Sequence, residues 1–262
     1  MTQVRGTPLT QTGLTQAAQS IGVEIPLLWT VMTVETKGCG FLPDRRPLIL
    51  FERHIFSKRT KGKFDHIAPD LSNVKPGGYG NSRVEHERIT RAMALDKQAA
   101  LESASWGLGQ VMGFNAKDAG YPNVEAMVDA MHVSEDLQFG AMLSFMQTNK
   151  LTKYLVQQDW AGFASRYNGS NYKVNKYDTK LAEAHDRFST GALPNLDVRS
   201  VQLYLTYLGY TPGVVDGWLG KKTKDALMKF QTDQALSATG QIDSSTLDAL
   251  EKAAMKETPE GQ

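Results

Sequence analysis

The chain has 262 residues, 41% of them hydrophobic, and carries 29 Lys and Arg against 28 Asp and Glu. That length suits one or two domains of ordinary globular composition. A net charge of +1 makes no field strong enough for nucleic acid or anionic lipid to be the main ligand. The first 194 residues hold 22 basic against 19 acidic side chains and the remainder 7 against 9, so neither part departs from this balance. The single Cys39 leaves no internal disulfide and no multi-cysteine metal site. Residues 1–20 are polar and lack the apolar core of a signal peptide. No run approaches the roughly 18 apolar residues needed to cross a bilayer. The reading is a monomer with no cofactor, no bound metal and no membrane insertion.

Leu14, Ala17, Ala18 and Ile21 stand at helical spacing before Gly22, predicting a helix over about 10–21. A second helix follows the break at 23–25, with Pro26 suited to its first turn and Gly38 to its close. Leu27, Leu28, Val31, Met32 and Val34 wrap most of its circumference, so it should sit inside the protein and take Glu35 with it. Desolvation favours the neutral carboxyl. A carboxylic acid that keeps its proton near neutral pH can protonate a glycosidic oxygen. The competing reading is a solvated residue at a helix end. Cys39, close by, reads as a small buried hydrophobe rather than a nucleophile, because no paired histidine accompanies it.

Residues 41–47 form a loop with two prolines, and 48–56 is an apolar run with three polar residues inside it, either a strand or a helix start. The basic, Gly-rich stretch 57–81 ends in Pro76-Gly77-Gly78-Tyr79-Gly80, a substrate-facing flap or a plain surface excursion. Ser82-x-x-Glu85 reads as a capping box opening a helix to about residue 103, broken near Asp96, with Glu85-His86-Glu87 on a charged face. Residues 105–113 are turn-rich. Asn123, Ser134 and Asp159 cap further helices, and a polar-faced one covers about 172–187. Residues 189–195 are the one clear linker. Beyond it, three short helices make a small bundle. The layout is mainly α: residues 1–188, the linker, a second domain at 196–256 and a tail at 257–262.

Val34-Glu35-Thr36-Lys37-Gly38, Gly107-Leu108-Gly109-Gln110-Val111 and Arg166-Tyr167-Asn168-Gly169 resemble, in order, the three signatures of goose-type lysozymes and soluble lytic transglycosylases. Arg46-Pro47-Leu48-Ile49-Leu50-Phe51-Glu52-Arg53-His54 with Ser105-Trp106-Gly107 is closer still to the phage N-acetylmuramidase family of modular endolysins. That resemblance spans residues 10–188. Separately, the run from Arg199 to Tyr210, then Asp216-Gly217, Gly220, Thr223, Phe230-Gln231 and Thr239-Gly240-x-Ile242-Asp243, is similar to the peptidoglycan-binding domain type 1. Thr36, Gly109 and Arg166 depart from the goose-type pattern, where Ser, Met and Ala are usual.

The resemblance implies a lysozyme-like helical catalytic domain with Glu35 as general acid. It also implies peptidoglycan as partner and hydrolysis of the β-1,4 bond between N-acetylmuramic acid and N-acetylglucosamine. Lytic transglycosylation and an inert wall-binding protein are the alternatives. Hydrolysis needs water activated by a second carboxylate, or the substrate acetamido group as nucleophile. Glu52 ranks first because a charge within an apolar segment needs a task or a partner, the partner being Arg53 or Arg46. Asp44, Glu102 and Asp118 follow. Ser105, Gln110, Tyr167 and Asn168 could bond N-acetyl and hydroxyl groups, and Tyr79 or Trp106 could face a pyranose ring, though a tryptophan in this setting also suits the core. The five histidines make no zinc spacing. The C-terminal module would act as a tether that raises local enzyme concentration. The expected setting is the host cytoplasm until lysis, then the cell wall.

Overall fold

Two helices open the chain where apolar spacing requires them. α1 (Gln11–Ile21) starts at Thr10, whose hydroxyl accepts from the Gly13 amide, and stops at Gly22 in left-handed backbone, φ 67°. α2 (Ile25–Glu35) carries Pro26 in its first turn and buries Leu27, Leu28, Trp29, Thr30, Val31 and Met32. Each large apolar side chain of that set contributes about 1.5–3 kcal/mol on burial, which fixes α2 in the interior. Its end differs from expectation. Thr36, in extended backbone, closes the helix by donating both its amide and its hydroxyl to the Met32 carbonyl, and Gly38 lies beyond the cap. The structure, a computed structural model, describes residues 5–36 and 38–256. Lys37 of the helix-end motif and the tail expected at 257–262 lie outside the described residues.

The ambiguous stretch 48–56 is both things: β1 (Ile49–Phe51), then α3 (Arg53–Arg59), with Glu52 at the junction. α4 (Ser82–Leu95) and α5 (Lys97–Glu102) part at Asp96, whose side chain caps the second. The capping box at Ser82 is not formed. Asn81 caps α4 by accepting from the Arg83 and Val84 amides. Glu85 instead turns inward, accepts from the Phe51 and Gly80 amides and pairs with Arg88 at 3.1 Å. The expected charged face at 85–87 is thus a buried cluster at Glu85 and His86. β2 (Ala104–Trp106) and β3 (Val111–Met112) fold the turn-rich stretch into a hairpin. With β1 they form an antiparallel sheet in the order β1-β2-β3, Ile49 opposite Trp106 and Ser105 opposite Met112.

α6 (Val124–Met131), α7 (Glu135–Thr148), α8 (Thr152–Val156), α9 (Trp160–Tyr167) and α10 (Tyr177–Thr190) follow. Asn123, Ser134 and Asp159 cap α6, α7 and α9 as the sequence indicates. α10 starts later than expected because Lys176 takes left-handed backbone after a 3₁₀ turn over Tyr172–Asn175. α10 lies along α2. α11 (Leu196–Tyr207), α12 (Lys221–Asp233) and α13 (Ser244–Ala254) pack around Val201, Leu205, Leu227, Phe230 and Leu250. The fold is mainly α, as the pattern requires.

α10 runs on through Ser189 and Thr190, so the linker expected at 189–195 shortens to 191–195, and it is not a loose string. Leu193, Leu196 and Trp218 pack against the larger core, and Phe41 of the first domain forms a shared cluster with Leu203 and Val215 of the second. The Tyr207 hydroxyl donates to the Gly6 carbonyl at 2.7 Å, and Arg45 reaches the Ala254 carbonyl at the end of α13.

Candidate active site

Glu35 is the last residue of α2, where the apolar helix brings a carboxyl to the edge of the core. Its Oε2 accepts from Asn168 Nδ2 at 2.7 Å, while the buried Oε1 has no partner among the described residues. Burial pushes the carboxyl up to about 7, against the opposing effects of the Asn168 hydrogen bond and the Lys180 charge. With Oε2 occupied as an acceptor, the proton of the neutral form sits on Oε1. That is a carboxylic acid with a free O–H near neutral pH.

α9 supplies the other wall. Asn168 closes that helix through its amide to Ala164, and its side-chain Oδ1 is also buried without a partner. Tyr167 stacks on Phe163 at 5.3 Å and meets Phe145 edge-on at 6.3 Å. Its hydroxyl donates to the Gly109 carbonyl at 3.3 Å, and burial with the nearby Glu35 pushes the phenol up. The three motifs far apart in sequence therefore meet: Glu35, the 107–110 turn and Tyr167-Asn168.

The turn needs its glycines. A Cβ on Gly107, φ 67°, would sit 2.7 Å from Gln138 Cδ, and one on Gly109 would sit 2.6 Å from Met142 Cβ. Ser105 and Gln110 stitch this turn together. Ser105 Oγ donates to Gln110 Oε1, and Gln110 Nε2 donates to the Gly107 and Leu48 carbonyls. Their hydrogen bonds thus run within the protein, and a sugar would have to displace them. Trp106 is core: it is 3% exposed and donates Nε1 to the Leu101 carbonyl.

Glu52 stands at the end of β1, where its amide donates to the Ser103 carbonyl. Its expected arginine partners are engaged elsewhere. Arg46 pairs with Asp44 at 2.6 Å, and Arg53 donates to the Lys75 and Pro76 carbonyls of the Gly-rich loop. Instead, Glu52 Oε2 accepts from the Tyr79 hydroxyl at 2.8 Å and lies 3.1 Å from His54 Nδ1. Glu52 and Arg53 together hold the loop that carries Tyr79, and Tyr79 is 49% exposed. The Lys180 charge favours the ionised form of Glu35. Glu102 pairs with Arg59, and Asp118 accepts from Asn149. Cys39 packs beside the Phe41 cluster, and its thiol is pushed up to about 11 by burial and by Glu135, a poor setting for a nucleophile.

Comparison with known proteins decides the family. Residues 24–189 match the N-acetylmuramidase family. The chain belongs to that family. Residues 194–250 match a peptidoglycan-binding domain. A crystal structure of the Burkholderia AP3 phage endolysin is similar at 43% identity and a TM-score of 0.66, covering 69% of this chain and 70% of that one. A stretch of 75 residues is 37% identical to the carboxy-terminal processing protease CtpB of Bacillus subtilis (strain 168). That stretch is 25% of this chain, which spans 16% of the length of that relative. An N-acetylmuramidase domain joined to a peptidoglycan-binding domain makes the protein a modular, peptidoglycan-degrading glycoside hydrolase. Sequence reasoning missed Lys180, an isolated basic residue on an exposed helix face with no spacing signal, and it places His54 and Arg199 in motifs without showing what they touch.

Proposed function

We propose that this muramidase hydrolyses the β-1,4 bond between N-acetylmuramic acid and N-acetylglucosamine, with Glu35 as general acid. The observation that carries the reading is the Glu35 carboxyl itself. It is half-buried, holds its proton up to about 7 and leaves Oε1 buried and without a partner among the described residues, while Asn168 fixes the other oxygen. Such a group can give its proton to the departing sugar oxygen. The wall-binding domain holds the enzyme, acting as a monomer, on its insoluble substrate. Likeness to a phage endolysin supports synthesis in a host cytoplasm and action on the wall after release. Glu35→Gln is expected to lower lysis of permeabilised cells by about 10²–10⁴-fold while the chain still folds and pellets with sacculi. A fully active variant sinks the reading.

Glu52 is the proposed second group, held by the Tyr79 hydroxyl with His54 Nδ1 3.1 Å away. Engagement of Glu52 Oε2 by the Tyr79 hydroxyl of the loop favours a second reading, in which one acid suffices and the product is a 1,6-anhydro sugar. Mass spectrometry of released muropeptides separates the two. Reducing ends that have gained water support hydrolysis, and anhydro ends support transglycosylation.

A further inference from the structure

One buried carboxylate of the catalytic domain has its counter-charge on the wall-binding domain. Glu135, in the first turn of α7, is fully buried. Its Oε2 accepts from the Leu9 amide at 3.0 Å and its Oε1 from the Gly40 amide at 2.9 Å. Arg199 of α11 completes the set, with Nη2 2.9 Å from Oε1 and Nη1 bonded to Oε2. Arg199 is itself 1% exposed, and its Nη2 also donates to the Gly38 carbonyl. A buried ion left without its partner is strongly unfavourable, so neither domain completes this cluster alone.

The backbone groups so held lie just past Glu35. The Gly38 amide donates to Thr36 Oγ1, the side chain that caps α2. Gly38 has φ 98°, and a Cβ there would sit 3.1 Å from the Val215 carbonyl, so a loop of the second domain closes directly over this segment. Further on, the Gly40 carbonyl accepts from the Leu48 amide and from Gln138 Nε2. Gln138 Oε1 in turn holds the Leu108 amide, one residue before the Gly109 carbonyl that receives the Tyr167 hydroxyl. Hydrogen bonds thus run from Arg199 to the end of the Glu35 helix on one side and to the turn beneath Tyr167 on the other.

We propose that Arg199 is a positioning residue for catalysis: the wall-binding domain forms the back of the active site and holds the end of the Glu35 helix, besides gripping peptidoglycan. The proposal rests on Glu35 as the general acid. The groups facing Glu35 are Asn168 and Tyr167 at the end of α9 and Lys180 on α10. Loosening the segment after Glu35 lets water reach the carboxyl among them and eases its ionisation. Activity that needs the protonated acid then fails at lower pH.

The test uses the full chain and soluble, uncrosslinked glycan strands, whose cleavage needs no tethering to sacculi. Arg199→Met is expected to lower kcat about tenfold or more through lost orientation, with KM little changed. The high-pH limb of its pH–rate profile moves down by about half a unit, and pelleting with sacculi persists. Arg199→Lys restores part of kcat. Glu135→Gln/Arg199→Met removes both charges together and keeps the kcat deficit without a buried lone ion. If neither Met-containing chain folds, Arg199→Lys carries the test through the same two readouts. Any of these variants that folds with the parent kcat and pH profile on soluble strands overturns the proposal, even if it clears sacculi slowly. Failure of the general-acid reading is separate: it would show as undiminished activity in Glu35→Gln.

Discussion

Two desolvated glutamates, Glu35 half-buried and Glu135 fully buried, stand in opposite environments. Glu35 has one donor, Asn168, and one oxygen with no partner. Glu135 has the Leu9 and Gly40 amides and both guanidinium nitrogens of Arg199. The difference lies in the donors and in the counter-charge that Arg199 brings to Glu135. Burial with few donors favours the neutral form and makes an acid, whereas burial with a full set makes a strut.

The same substitution should therefore act with opposite sign at the two positions. Glu135→Gln leaves Arg199 buried without its counter-charge and is expected to cost about 3–5 kcal/mol of stability, read from urea unfolding at pH 7. Glu35→Gln should stabilise. Burial holds the folded carboxyl at about 7 against an ordinary value of 4.5, so the folded state binds the extra proton between these values. The parent protein pays no penalty below pH 4.5, loses stability as pH rises towards 7 and carries the full loss above it. Each pKa unit is about 1.4 kcal/mol, so Glu35→Gln should gain about 3 kcal/mol at pH 8 and almost nothing at pH 4. Equal effects of the variant at both pH values would undo the contrast.

Smaller effects follow for the groups that hold the Glu35 value down. Activity should fall as pH rises through about 7. Asn168→Ala removes a bond that favours the charged form and should move that limb upward by under about one unit. Lys180→Met should move it the same way by less, and 0.5 M salt should mimic the change because Lys180 is exposed. A downward shift in either variant would mean that these groups do not act on the acid as drawn.

Much of this was legible from residue pattern. The wrapping of α2 by apolar side chains gave a buried Glu35, and Asn123, Ser134 and Asp159 announced their helices through side-chain acceptors placed for the first-turn amides. Local chemistry decides such features. What escaped depends on contacts between distant segments. Glu85 looked like the partner in a capping box, yet it turns inward to Phe51, Gly80 and Arg88. Glu52 was sought beside its sequence neighbours Arg46 and Arg53, yet Tyr79 reaches it from the far end of a long loop. Ser105 and Gln110 carry the right chemistry for sugars, but the strain of Gln110, φ 48°, is held by bonds within the hairpin. Arg199 sat in a motif that speaks for wall binding, and nothing in its spacing pointed towards α7.

The Glu135–Arg199 contact also limits how this protein can be recombined. A wall-binding domain grafted from elsewhere brings a new surface to Gly38 and Phe41, and unless it presents a guanidinium to Glu135 the catalytic half inherits an unanswered charge. Exchange of modules at the 191–195 connection, which looks the natural place to cut, should yield chains that express poorly or need Glu135 replaced in the same step. The seam is drawn in the sequence at residues 189–195, but chemically it reaches the first turn of α7.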